Sequence, residues 1–195
     1  MASIFDDILA TGARKGQIPA RTQQARDWYR EKARQQRSAG VYPDNIIRSS
    51  TGKAEVLIGR MYHFKYDPKT AKTLPYYDRF PLIFMVGPAK GGFYGINLHY
   101  LPPQLRAKLM DGLYDLTNNT RYDESTKLKL TYDLLNSASK FRYFKPTFKH
   151  YLNQHVRSKF IEINSTEWDT ALFLPTERFE KAKKTKVWAD SRKMI

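Results

Sequence analysis

From Leu134 to Ile161 the chain contains no Asp or Glu. Within that stretch stand Lys140, Arg142, Lys145, Lys149, Arg157 and Lys159, interleaved with Phe141, Tyr143, Phe144, Phe148, Tyr151 and Phe160. Cations in this setting match the phosphates of a nucleic-acid backbone, and the rings between them match its bases and sugars. The plainer reading puts the rings in the core and lets the lysine and arginine stems run across apolar surface to water. For any single ring the core is the commoner place. For the run as a whole, an acid-free stretch of this length in a chain with 19 acids favours a polyanion. The six cations are the candidate phosphate contacts, with Tyr143 and Phe144 as stacking candidates. Lys183, Lys184 and Lys186 are auxiliaries in a basic C-terminal tail whose anchor is Trp188.

Other chemistry finds little support. GPAKGG (87–92) lacks the Lys-Ser/Thr ending of a phosphate-binding loop, and no GxGxxG occurs. The histidines are His63, His99, His150 and His155, without an HExxH pattern or a carboxylate cluster beside them. There is no Cys, which removes a disulfide scaffold, a zinc ribbon and a thiol nucleophile. No serine elbow is present. A two-metal nuclease needs converging carboxylates. Glu55, Asp67, Asp78 and Glu162 are scattered, and Asp67-Pro68 and Asp78-Arg79 read as turns. The expectation is a non-enzymatic chain with no catalytic residues, no metal, no cofactor and no small-molecule substrate.

The whole-chain balance agrees with a polyanionic partner. Thirty-four Lys and Arg against 19 Asp and Glu leave a formal charge of +15 and a pI near 9.9. No apolar run reaches the roughly 18 residues a membrane span needs, so no membrane partner is expected. Asp6 and Asp7 stand where a secretory signal wants basic residues.

The elements that must position these residues follow from periodicity. A short helix is expected over 3–10. A second, over about 22–37, carries Arg26, Arg30, Arg34 and Arg37 as a cationic stripe. Residues 38–53 read as a linker. Residues 56–66 read as a strand with Tyr62, Phe64 and Tyr66 on one face. Residues 79–86 and 92–101 read as two more, with Gly95 marking a bulge or a close backbone approach. Pro102 and Pro103 open a helix with a leucine stripe, and a second helix follows over about 124–138. SKFIEINS (158–165) reads as a strand, and a short helix from Ser165 ends at Pro175. The expected fold is α+β: a small antiparallel sheet or SH3-like partial barrel packed with an αα-hairpin over 102–138. An N-terminal helical arm and linker (1–53) precede this single body (54–195), which ends in the basic tail.

Several stretches also resemble a known family. They are QIPARTQQARDWYR (17–30), GRMYHFKYDPKTAKTLPYYDRFPLIF (59–84), GFYGINLHYLPPQLR (92–106), SKFRYFKPTFKHYL (139–152), EWDTALFLPTERF (167–179) and VWADSRKMI (187–195). Together they resemble a small virion protein of T-even-like contractile-tailed phages, of the cyanophage and marine myovirus type. The best match is the DNA end protector family. That resemblance implies a non-enzymatic protein of the phage virion, made in the bacterial host cytoplasm. Its partners would be double-stranded DNA ends, shielded from host exonuclease, and other virion proteins of head, neck or tail. No catalytic residues come with the family. The alternative is a structural baseplate, neck or tail-completion subunit whose basic arms bind neighbouring proteins.

Overall fold

The computed structural model describes residues 43–49, 52, 56–103, 105–107, 145–164 and 167–195. The expected helices at 3–10, 22–37 and 124–138, and all but the first residues of the helix after Pro102, lie outside this set. Residues 103 and 105–107 are helical, in keeping with prolines at a helix start.

A five-stranded antiparallel sheet forms the centre, in the order β5-β4-β3-β1-β6. Its strands are β1 (Met61–His63), β3 (Leu82–Ala89), β4 (Gly92–Asn97), β5 (Phe148–Leu152) and β6 (Ile161–Ile163). A two-stranded ribbon pairs β2 (Tyr77–Asp78) with β7 (Phe179–Glu180). Beside these strands, the described residues hold α1 (Pro43–Ser49), α2 (Trp168–Phe173) and α3 (Lys184–Lys193). The fold is therefore α+β around a small antiparallel sheet.

The sheet is apolar on both faces, and alternation decides which residue goes where. Met61, Phe84, Ile96 and Ile163 share one face and pack against Trp168, Ala171 and Leu172 of α2 and Ile46 of α1. Tyr62, Ile83, Met85, Phe93 and Tyr151 share the other, joined by Phe64 and Tyr66 from the chain after β1. The aromatic face expected at 62, 64 and 66 is present. Phe64 sits at its centre, with ring centroids 4.9 Å from Phe160 and 5.5 Å from Tyr151. The continuous run Leu82–Val86 is buried because its two faces serve two clusters.

Gly95 fills a close approach. A Cβ there would lie 2.7 Å from Ile83 Cδ1. The irregularity in the ladder falls across from it, between Met85 and Gly87 of β3. The third expected strand is shorter than its pattern, because residues 98–100 turn into a 3₁₀ helix. The Asn97 side chain caps that turn by accepting from His99 N at 3.0 Å. The stretch 38–53 contains helix α1, whose Ile46 is buried in the core. The basic C-terminal residues likewise fold. Helix α3 buries Val187 and Ser191, and Trp188 Nε1 donates to the His99 carbonyl at 2.8 Å.

His63 is fully buried on β1, and its Nδ1 donates to the Pro81 carbonyl at 3.1 Å. Burial, with His99 nearby, pushes its pKa down to about 4. The unfolded chain therefore takes up a proton first as the solution is acidified. Stability present above pH 6.5 is expected to be lost as pH falls from 6.5 to 4, by about 3 kcal/mol at most. Urea melts across that window check this. The slope should flatten in His63→Gln, and an unchanged slope would assign the acid sensitivity to other groups.

Candidate nucleic-acid interface

The turn at 145–147 delivers the chain into β5, and Lys145 is exposed there. One strand position in two then faces each side of the sheet. Lys149 and Tyr151 point to the second, tyrosine-rich face, and Phe148 and His150 to the first. Arg157 and Lys159 are exposed on the segment between β5 and β6. Arg157 N donates to Lys65 O at 2.8 Å, and its guanidinium reaches Gln154 O at 3.4 Å. The other predicted contacts in this segment, Lys140, Arg142, Tyr143 and Phe144, lie outside the described residues.

The three C-terminal auxiliaries differ from one another. Lys183 is exposed and has no side-chain partner among the described residues. Lys184 Nζ pairs with Glu177 Oε1 at 2.8 Å and lies 5.4 Å from the Trp188 ring centroid. Lys186 is exposed but pairs with Asp190 at 2.8 Å, one helical turn on. Lys183 is thus the freest of the three to meet a phosphate.

Of the segment's described aromatics, Tyr151 belongs to the second core cluster, Phe160 packs against that cluster and Phe148 packs against the first. The outer part of the first face shows a flat aromatic patch. Tyr94 is exposed, stacks on Phe148 with centroids 5.1 Å and planes 19° apart, and lies 5.3 Å from the His150 ring. Tyr94 reads from the sequence as an ordinary strand residue.

Lys149 has an unusual setting. Its Nζ lies 4.2 Å from the centroid of Tyr100. Desolvation pulls its pKa down to about 8, because a half-buried ammonium loses hydration without gaining a carboxylate. Burial raises the phenols of Tyr66, Tyr100 and Tyr151 around it, so they stay neutral.

Asp78 corrects its reading as a turn residue: it is the acceptor centre of a buried network. Its Oδ2 receives His99 Nδ1 at 2.7 Å and Asn97 Nδ2 at 3.0 Å, and its Oδ1 receives Phe80 N at 3.1 Å. Asn97 also donates to Tyr151 OH at 3.1 Å, and His99 Nε2 pairs with Thr176 Oγ1 at 3.0 Å. Asp, His and a hydroxyl in line would activate a nucleophile at an open site. Here His99 is 0 % and Asp78 3 % exposed, so the row ties β2 to the turn after β4 and to the loop after α2. Among the described residues no three His, Asp or Glu side chains are placed to hold a metal ion. Among them, too, no helix is long and apolar enough to cross a membrane.

No curated protein and no solved structure gives a significant match to the chain. A family model does match, over residues 15–192, and its description is phage T4 terminal DNA protecting protein. That span takes in the basic-aromatic segment, the sheet and all but the last residue of helix α3. The chain therefore belongs to the phage T4 terminal DNA protecting protein family.

Proposed function

We propose that this chain is a non-enzymatic virion protein that binds the ends of the phage's double-stranded DNA and shields them from host exonuclease. The observation that carries the reading is the family match over residues 15–192. The motif resemblance favours a contractile-tailed phage of the cyanophage type as its source. Surface chemistry supports the reading. A duplex end has no fixed sequence, so the grip must come from phosphates. Lys145, Lys159 and Lys183 are exposed cations with no acidic partner among the described residues, and the formal charge is +15. Lys140, Arg142, Lys145, Lys149, Arg157 and Lys159 are the proposed contacts, with Lys183, Lys184 and Lys186 beside them and Tyr143 and Phe144 as stacking residues.

The test compares a linear duplex with the same DNA as a closed circle, across a salt series, followed by exonuclease digestion of the linear form. Six phosphate contacts give a log–log salt slope of roughly −5. The triple variant Lys145→Gln, Arg157→Gln, Lys159→Gln is expected to flatten that slope by about 3, close to one per lost contact. Preference for the linear form with slowed digestion supports the proposal. Weak binding that ignores ends would sink it and move the cationic surface to assembly with neighbouring virion proteins.

A further inference from the structure

A cavity of about 610 Å³ opens beside β5 on the tyrosine-rich face of the sheet. Its walls come from segments far apart in sequence: Tyr66, the 68–76 loop with Tyr76, β2, the turn at Tyr100, and Lys149 with Tyr151. The volume lies within the range of small-molecule sites, roughly 300–1,000 Å³. It suits one base with its sugar. Tyr66, Tyr100 and Tyr151 are buried in the cavity floor. The half-buried Tyr76 and Tyr77 are the rings left to meet a base, which any base allows through its π-face.

Among the described residues the free charges lining the cavity are cationic, Lys149 and the exposed Lys69. Lys149 lines it and has no ion pair or hydrogen-bond acceptor among the described residues. The acid in the wall, Asp78, is already engaged by His99, Asn97 and Phe80 N. An anion beside Lys149 would restore the electrostatic stabilisation that burial removes. A second groove of about 610 Å³ adjoins the cavity across Tyr76 and Met194, which line both. Lys181, Lys183, Lys186 and Lys193 line this groove. Lys181 is held by the Lys72 and Leu74 carbonyls and Lys186 by Asp190. Lys183 and Lys193 have no such partner among the described residues.

We propose that the cavity takes the last nucleotide of a DNA strand, unpaired from its complement, with the base against Tyr76 and its phosphate at Lys149. The next phosphates of that strand run toward Lys183 and Lys193. This rests on the end-binding reading and adds how an end is told from duplex interior. Phosphate contacts alone cannot make that distinction, because every base pair offers them. Capture of an unpaired nucleotide can. Unpairing costs a few kcal/mol, least where the base is already loosely held, and a terminal pair has a stacked neighbour on one side only. Stacking on aromatic side chains returns about 1–3 kcal/mol per base. A closed circle has no terminal pair to open.

The experiment uses the full chain and four DNAs of one sequence. They are a matched blunt duplex, the same with a mismatched terminal pair, the same with its terminal pairs covalently cross-linked, and a closed circle. The terminal mismatch is expected to bind about tenfold tighter than the matched duplex, and the cross-linked one about tenfold weaker, as the unpairing cost is removed or made prohibitive. Lys149→Gln and Tyr76→Ala, checked for folding by circular dichroism, should compress that spread. Equal binding of all three linear forms, with linear still preferred over circular, overturns the cavity proposal and leaves end binding intact. It would then point to the flat Tyr94–Phe148 patch, which could stack on an intact pair. No preference for linear DNA at all overturns both. The wild-type comparison decides the matter even where a variant fails to fold.

Discussion

Replacing Arg106 with Leu is expected to destabilise the fold by about 3–5 kcal/mol, the usual cost of breaking a buried ion pair from one side. Arg106 is 2 % exposed. Its guanidinium donates to three backbone carbonyls, Leu101 O at 2.7 Å, Leu172 O at 3.0 Å and His99 O at 3.3 Å. It also faces Glu177 Oε2 at 3.8 Å and the Trp188 ring at 5.6 Å. One side chain thus joins the helix after Pro102, the 3₁₀ turn, α2, the loop after it and α3. Burial lowers the Arg106 pKa, but the group stays cationic. Burial alone would raise the Glu177 carboxyl. Arg106, His99 and Lys184 outweigh that and hold it low. With leucine in place, Glu177 keeps Lys184, while carbonyls served by the fork lose their donor. Urea denaturation should show a lower midpoint with an unchanged m value. Arg106→Lys keeps the charge but not the fork and should recover only part of the loss. A change below about 1 kcal/mol in Arg106→Leu would mean that water replaces the fork and that the site is open.

The parts of this fold legible in the sequence are those whose signal is local. The aromatic alternation at 62, 64 and 66 marks a strand face because period two survives burial. The Leu82–Val86 run marks a strand buried on both sides. Gly95 marks the approach of Ile83. Trp188 reads as the anchor of the basic tail, and its indole N–H holds the His99 carbonyl. What stayed hidden depends on residues distant in sequence. Asp78 followed by Arg79 has the composition of a turn, and only Asn97 and His99, some twenty residues later, make it a buried acceptor. The cavity needs Tyr66, Tyr76, Tyr100 and Lys149 together, and no spacing rule connects them. Lys149 looks identical to its neighbours in a list of cations, yet it differs from the exposed Lys145 and Lys159 in facing the cavity and the Tyr100 ring. Helix α1 has start signals in Pro43 and Asp44. At seven residues it is too short for its periodicity to stand out.

The C-terminal residues offer the sharpest separation of folding from binding. Their lysines compose like a solvated tail, so truncation after Lys183 would ordinarily be read as a loss of charge. The structure sets a different expectation. Truncation removes Val187 and Ser191 from the interior, the Trp188 bond to His99 O, and Lys184 from Glu177. Burying one valine-sized side chain contributes about 1.5–3 kcal/mol, and each hydrogen bond about 0.5–1.5 kcal/mol more. The truncated chain should therefore lose about 3 kcal/mol or more and bind DNA poorly because less of it is folded. Lys183→Gln is the opposite case. An exposed side chain outside these contacts should change stability by less than about 0.5 kcal/mol. If it meets a phosphate, the same substitution should flatten the salt slope by about 1. Measuring melts and salt slopes on both variants separates the two causes. A truncation that melts like the intact chain would show that α3 contributes charge alone. A Lys183→Gln that leaves the slope unchanged would take the C-terminal groove out of the DNA path and leave phosphate contact to β5 and the segment after it.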